Sequence, residues 1–74
     1  MEIKVKLFGD LREGRFEEEQ TQLEENSRVS DLINKHNLPL EKVAICMVNS
    51  RVVEFDTVLQ NQDIVAFSPP VGGM

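Results

Sequence analysis

The sequence predicts an α+β domain: a mixed sheet of four or five strands covered on one face by a single helix. Three observations predict it. The chain opens with Ile3, Val5 and Leu7 alternating with Glu2, Lys4 and Lys6, the period of two that marks a strand with one buried face. Val29, Leu32 and Ile33 sit at the i, i+3, i+4 spacing of a helix, with capping and stop signals around them that make this the one convincing helix. Apolar runs at Val43–Val48, Val52–Val53 and Ile64–Phe67 then return as strands between polar, turn-forming residues.

Each element follows in order. Gly9-Asp10 ends the first strand, and residues 9–19, with Gly9, Gly14 and a run of glutamates, read as a mobile loop. Thr21 and Leu23 resume the alternation as a second, partly exposed strand. Asn26-Ser27 offers side-chain acceptors for the helix start. Asp31 falls in the first turn and Lys35 and His36 in the last, the order the helix dipole favours. Asn37 suits the left-handed cap, and Pro39 stops the helix. Asn49-Ser50 is a tight turn, and Asp56 to Gln62 is irregular around Val58 and Leu59. After Ser68 no secondary-structure signal remains, which divides the chain into a domain, residues 1–68, and a tail, residues 69–74.

At 74 residues this is one domain, with no room to enclose a substrate cavity of ordinary size. That argues for a carrier or binding role rather than a self-sufficient enzyme, with no cofactor bound. Thirteen acidic residues against eight basic ones give a net charge of −5, which disfavours nucleic acid, whose affinity comes from neutralising phosphates with Lys and Arg. The acid gathers at Glu13, Glu17, Glu18, Glu19, Glu24 and Glu25, either as a solvated surface or as a docking face for a basic partner. A single cysteine, Cys46, excludes an internal disulfide and sits in an apolar run, where it reads as core filling. The lone His36 belongs at the helix end, since no metal-ligating partners cluster near it in sequence. No charged-then-apolar leader opens the chain and no stretch is long enough to span a membrane, so a cytoplasmic location without membrane contact is expected.

One helix can cover only one sheet face. Yet Phe8 falls on the polar parity of the first strand, and the third and fifth strands are apolar at both parities. The uncovered face therefore reads as a partner surface.

The tail carries the chemistry. Pro69-Pro70 favours an extended segment, and Ser68 to Gly73 can reach roughly 20 Å from the body. Gly72-Gly73 removes every side chain next to that tip, so it can thread a narrow channel and meet a nucleotide phosphate. A carboxylate is a poor electrophile; adenylation by ATP supplies a leaving group, and a sulfur donor displacing AMP yields a thiocarboxylate. Those catalytic groups are not in this chain, so a partner enzyme must supply them and use the ATP.

Ile3–Phe8 followed by Leu11-Arg12-Glu13, Val48-Asn49 with Val52-Val53, Asp56–Leu59, Asp63–Phe67 and Pro69-Pro70-Val71-Gly72-Gly73 resemble the MoaD/ThiS family of ubiquitin-like sulfur carriers. Pro69-Pro70-Val71 leans toward MoaD, the small subunit of molybdopterin synthase. The resemblance implies a β-grasp (ubiquitin-like) fold and adenylation by an E1-like adenylating enzyme. It further implies sulfur delivery to a synthase large subunit or other acceptor enzyme. Gly73 would then bear the activated carboxyl and Gly72 let it enter the partner's site. Phe8, Leu59 and Phe67, with Pro69, Pro70 and Val71, would meet the partner, although the parity of Phe67 serves the core equally well. One residue departs from the pattern: Met74 follows Gly73, and while it is attached the Gly73 carbonyl is an amide. Removal by a tail-processing protease, an addition in preparing the sample, and loss of sulfur carriage are the three explanations. Two other functions share the pattern, a ubiquitin-like modifier conjugated through Gly73 and an interaction domain with an inert tail.

Overall fold

The computed structural model describes residues 1–70. Five strands form one mixed sheet: β1 (Glu2–Leu7), β2 (Glu18–Gln22), β3 (Ile45–Val48), β4 (Arg51–Val53) and β5 (Ile64–Ser68). Their order across the sheet is β2-β1-β5-β3-β4, with β1 and β5 parallel at the centre and the other neighbours antiparallel. One helix, α1 (Val29–Lys35), packs on one face. This is the β-grasp arrangement.

The core lies between that helix and the alternate residues of the strands. Ile3, Val5, Leu7, Val65, Phe67 and Cys46 point from the sheet toward Val29, Leu32 and Ile33 of α1, and all are buried. Leu11, Leu38, Val43 and Leu59 close the ends of the same cluster. Cys46 fills core space and its thiol donates to the Val53 carbonyl at 3.1 Å. Burial pushes that thiol up, and nearby Glu54 adds to the shift.

Three local expectations change. Residues 9–19 are not one loop: Gly9–Arg12 forms a one-turn 3₁₀ helix held by the buried Leu11, and β2 starts at Glu18 rather than near Thr21. Only Thr21 of β2 is buried, because an edge strand can run its charged residues along solvent and so hides its alternation. Neither Asn26 nor Ser27 caps α1. Asn26 takes the left-handed conformation of a preceding turn (φ 69°), and Arg28 is the cap position, its amide donating to Asp31 Oδ2 at 2.7 Å. A second one-turn 3₁₀ helix at Leu40–Lys42 precedes the Val43–Val48 run, and the strand itself starts only at Ile45.

The other punctuation stands. Asn37 has φ 53° just after α1, and Asn49 and Ser50 both have positive φ, the geometry of a tight turn joining twisted strands. Asn49 also ties β3 to β5: its side chain donates to Asp63 at 2.9 Å and accepts from the Ile64 amide at 3.0 Å. His36 ends α1, its Nε2 sharing a 2.8 Å hydrogen bond with Thr21 Oγ1 and its ring meeting Phe16 edge-on at 5.0 Å. No helix among the described residues is long and apolar enough to cross a membrane.

Candidate docking face and tail root

The strand pairing assembles an apolar surface on the face opposite α1. Residues paired across a sheet share a face, so the register sets Glu18, Lys6, Ala66, Met47 and Val52 in one row. The adjacent rows hold Gln20, Lys4 and Ile64 on one side and Ser68 and Ile45 on the other. Val52 is 70% exposed, and Ile64 and Ile45 are exposed as well. Phe8 follows β1 with extended backbone, so the alternation carries its ring to this same face, 47% exposed. Charge frames the strip on the β2 side, where Lys4 Nζ lies 3.4 Å from Glu18 Oε2.

Of the side chains expected to meet a partner, Phe8 is available and two are not. Leu59 is 2% exposed and Phe67 is 0% exposed; both belong to the core beneath α1. For Phe67 the reason is parity: it pairs with Leu7 and Cys46, both inward, so it must point inward too. Leu59 lies in an irregular segment where no periodicity indicates a side. Its amide donates to the Ser27 carbonyl at 2.8 Å, and its side chain joins the core. The residues that sequence reasoning did not name one by one are Ile45, Met47, Val52, Ile64 and Ala66. Their signal was the apolar run at both parities in β3 and β5.

The tail leaves the same sheet from its centre. β5 is held on both sides to its last residue: the Phe8 amide donates to the Phe67 carbonyl at 3.1 Å and the Ala44 amide to the Ser68 carbonyl at 2.9 Å. Pro69, half-buried, then sits against Gly9, and Pro70 is exposed. Val71, Gly72, Gly73 and Met74 lie outside the described residues.

Beside the root, Lys6, Leu7, Phe8, Arg12, Glu17 and Glu18 line an open cleft of about 330 Å³. Arg12 Nη1 and Glu17 Oε2 pair across it at 2.9 Å, so its charge is largely compensated within the chain. A larger hollow of about 430 Å³ lies between the end of β2 and α1, lined by Gln22, Glu24, Asp31 and Lys35, away from the tail root. Among the described residues no group of His, Cys, Asp and Glu is arranged to hold a metal ion. Burial lowers the pKa of His36 below its ordinary value of 6.5, opposed by Glu19 and assisted by Lys35. The described surface thus combines an exposed apolar sheet face with the root of the tail beside it.

The comparisons agree with that architecture. The putative molybdopterin converting factor subunit 1 from Pyrococcus furiosus is 33% identical, with a TM-score of 0.79 over 96% of this chain and 99% of that one. The crystal structure of SAMP1 from Haloferax volcanii superposes at a TM-score of 0.77 and 21% identity, covering 100% of both chains. A complex of subunits 1 and 2 of molybdopterin-converting factor from Helicobacter pylori matches at 0.67 and 20% identity, again over 100% of both chains, a likeness of fold. No curated protein matches the sequence. The ThiS family model matches residues 5–73, nearly the whole described domain and the tail through its second terminal glycine, and the chain belongs to the ThiS family.

Proposed function

We propose that this chain is a sulfur carrier whose Gly73 is adenylated by an E1-like enzyme and converted to a thiocarboxylate for the assembly of molybdopterin or another sulfur-containing cofactor. The observation that carries the reading is a family match that runs through Gly73, three residues beyond the last described residue, Pro70. The likeness to a converting-factor subunit 1, at 33% identity, supports the molybdopterin branch and a synthase large subunit as acceptor.

In this reading the chain is a co-substrate. The open face, with Phe8, Met47 and Val52, docks on the partner by burying apolar surface. Gly72 then lets the tip pass where a side chain would obstruct it. A Gly73 carboxylate oxygen attacks the α-phosphorus of ATP and pyrophosphate leaves. A sulfide-level donor then attacks the acyl carbon and AMP leaves, giving the thiocarboxylate. The partner holds the ATP, and this chain binds none itself. Hydrolysis of the Gly73–Met74 bond by a processing protease precedes all of this, because an amide carbonyl has no carboxylate to adenylate.

Intact-mass spectrometry of the untagged protein from its native host tests the reading. Chains ending at Gly73, some with sulfur in place of one terminal oxygen, are expected. Met74 retained on every molecule would overturn it in favour of an interaction domain with an inert tail. An adenylated Gly73 is also an acyl donor for a lysine amine, so isopeptide-linked adducts without any thiocarboxylate would favour the ubiquitin-like modifier.

A further inference from the structure

We propose that Gly9 is a positioning residue for the tail: its bare α-carbon is the seat against which the Pro69 ring rests as the chain leaves the sheet, and the seat sets the direction from which Gly73 approaches the activating enzyme. The inference rests on the carrier reading and names a residue far from the tip in sequence as part of its machinery.

The geometry is closed on three sides. Through Ser68, β5 has no freedom, because hydrogen bonds from Phe8 and Ala44 hold its last carbonyls and Ser68 pairs with Ile45. Pro69 cannot extend the ladder, since it has no amide proton, so the strand's hydrogen bonding ends at Ser68. The surface it meets is fixed scaffold. Gly9 opens the 3₁₀ turn whose Leu11 is 0% exposed, and the Leu11 amide donates to the Phe8 carbonyl at 3.2 Å.

Gly9 itself has φ +55°, where side chains are disfavoured. More telling is the space. A methyl group built on Gly9 would lie 2.8 Å from Cγ and 3.2 Å from Cδ of Pro69, closer than carbon atoms pack. The turn is anchored in the core, so the ring must yield. Cγ and Cδ are locked to the backbone nitrogen by the pyrrolidine ring, so displacing the ring turns the backbone of Pro69 and Pro70 with it. Gly73 stands four residues beyond Pro69, at most about 14 Å away, so each 10° of rotation at the root can move the reach of the tip by up to roughly 2 Å. In-line attack on phosphorus tolerates little of that: a misplacement of about 1 Å can slow a positioned reaction a hundredfold.

The test uses the chain ending at Gly73, ATP and its adenylating enzyme, with pyrophosphate release as the readout and the thermal midpoint measured alongside. Gly9→Asn is the informative variant, because asparagine accepts the left-handed backbone yet carries a Cβ. It should lower kcat at least about tenfold. KM should change little, since the docking face is untouched, and the folded midpoint should stay above the assay temperature. Pro69→Ala removes Cγ and Cδ, so Gly9→Asn introduced into a Pro69→Ala chain should lower kcat much less than it does in the unsubstituted chain. Unchanged kcat in Gly9→Asn, or the same fold-loss in both backgrounds, would overturn the proposal. Should the unsubstituted chain fail to be adenylated, the carrier reading falls instead. The seat is then decided by nuclear Overhauser contacts between the Pro69 ring protons and the Gly9 α-protons: their presence upholds it, their absence removes it.

Discussion

Replacing Phe67 by alanine separates a core residue from a docking residue. Phe67 is wholly buried in the strand between β1 and β3, facing the side chains under α1. Truncating a buried phenylalanine costs about 3–5 kcal/mol, the transfer term plus the cavity it leaves. A domain of 74 residues holds roughly 4–11 kcal/mol in total, so Phe67→Ala removes between about a quarter and all of it. With a urea slope of about 1 kcal/mol/M for a domain this small, the midpoint should fall by about 3 M or more. Phe8→Ala is the matched control. Half of its ring already meets water, so it should lose about 1 kcal/mol or less and move the midpoint by about 1 M at most. Partner affinity should show the reverse order, with folded Phe8→Ala binding about tenfold more weakly. Equal midpoint shifts for the two variants would refute the inward placement of Phe67 and the register that dictates it.

Three further outcomes follow from the same geometry. Val52→Asp, on the open face at the exposed edge strand, should weaken partner binding by about tenfold or more while leaving the thermal midpoint within a few degrees; unchanged affinity in a titration would remove this face from the interface. Ser50→Gly should stabilise the protein by about 0.5–1 kcal/mol, raising the midpoint by roughly 2–8 °C, because Ser50 holds φ 72° in the Asn49-Ser50 turn and glycine adopts it without steric cost. His36 gives a pH dependence of definite sign. Its folded pKa is lowered, so the unfolded chain takes up the proton first. Its contribution to stability is complete above about pH 6.5 and declines as pH falls toward the lower folded value. Urea midpoints at pH 7.5 and 5.5 should differ in that direction, and His36→Gln should shrink the difference; an unchanged difference would assign it to other groups.

The sequence by itself determined the fold class, because the signals concerned are local: alternation in β1, the apolar stripe of α1, and the Asn37 and Asn49-Ser50 turn residues are all properties of neighbouring positions. It also pointed to the tail as the working end, an expectation carried by Gly72-Gly73 after Pro69-Pro70 together with the family resemblance, on residues that beyond Pro70 lie outside those described. Pairing decided the rest. β2 hid its start because an edge strand needs only Thr21 inward. Leu59 hid its destination because an irregular segment has no period to assign a side. Phe67 could be placed inward only once Leu7 and Cys46 were known to flank it. The open face is likewise a product of register: Lys6, Ala66, Met47 and Val52 come from four separate strands, and no local pattern can state that they share a row. The seat of Pro69 on Gly9 joins residues sixty positions apart, a contact that exists only because parallel pairing of β1 with β5 brings the C-terminal ends of both strands to the same end of the sheet.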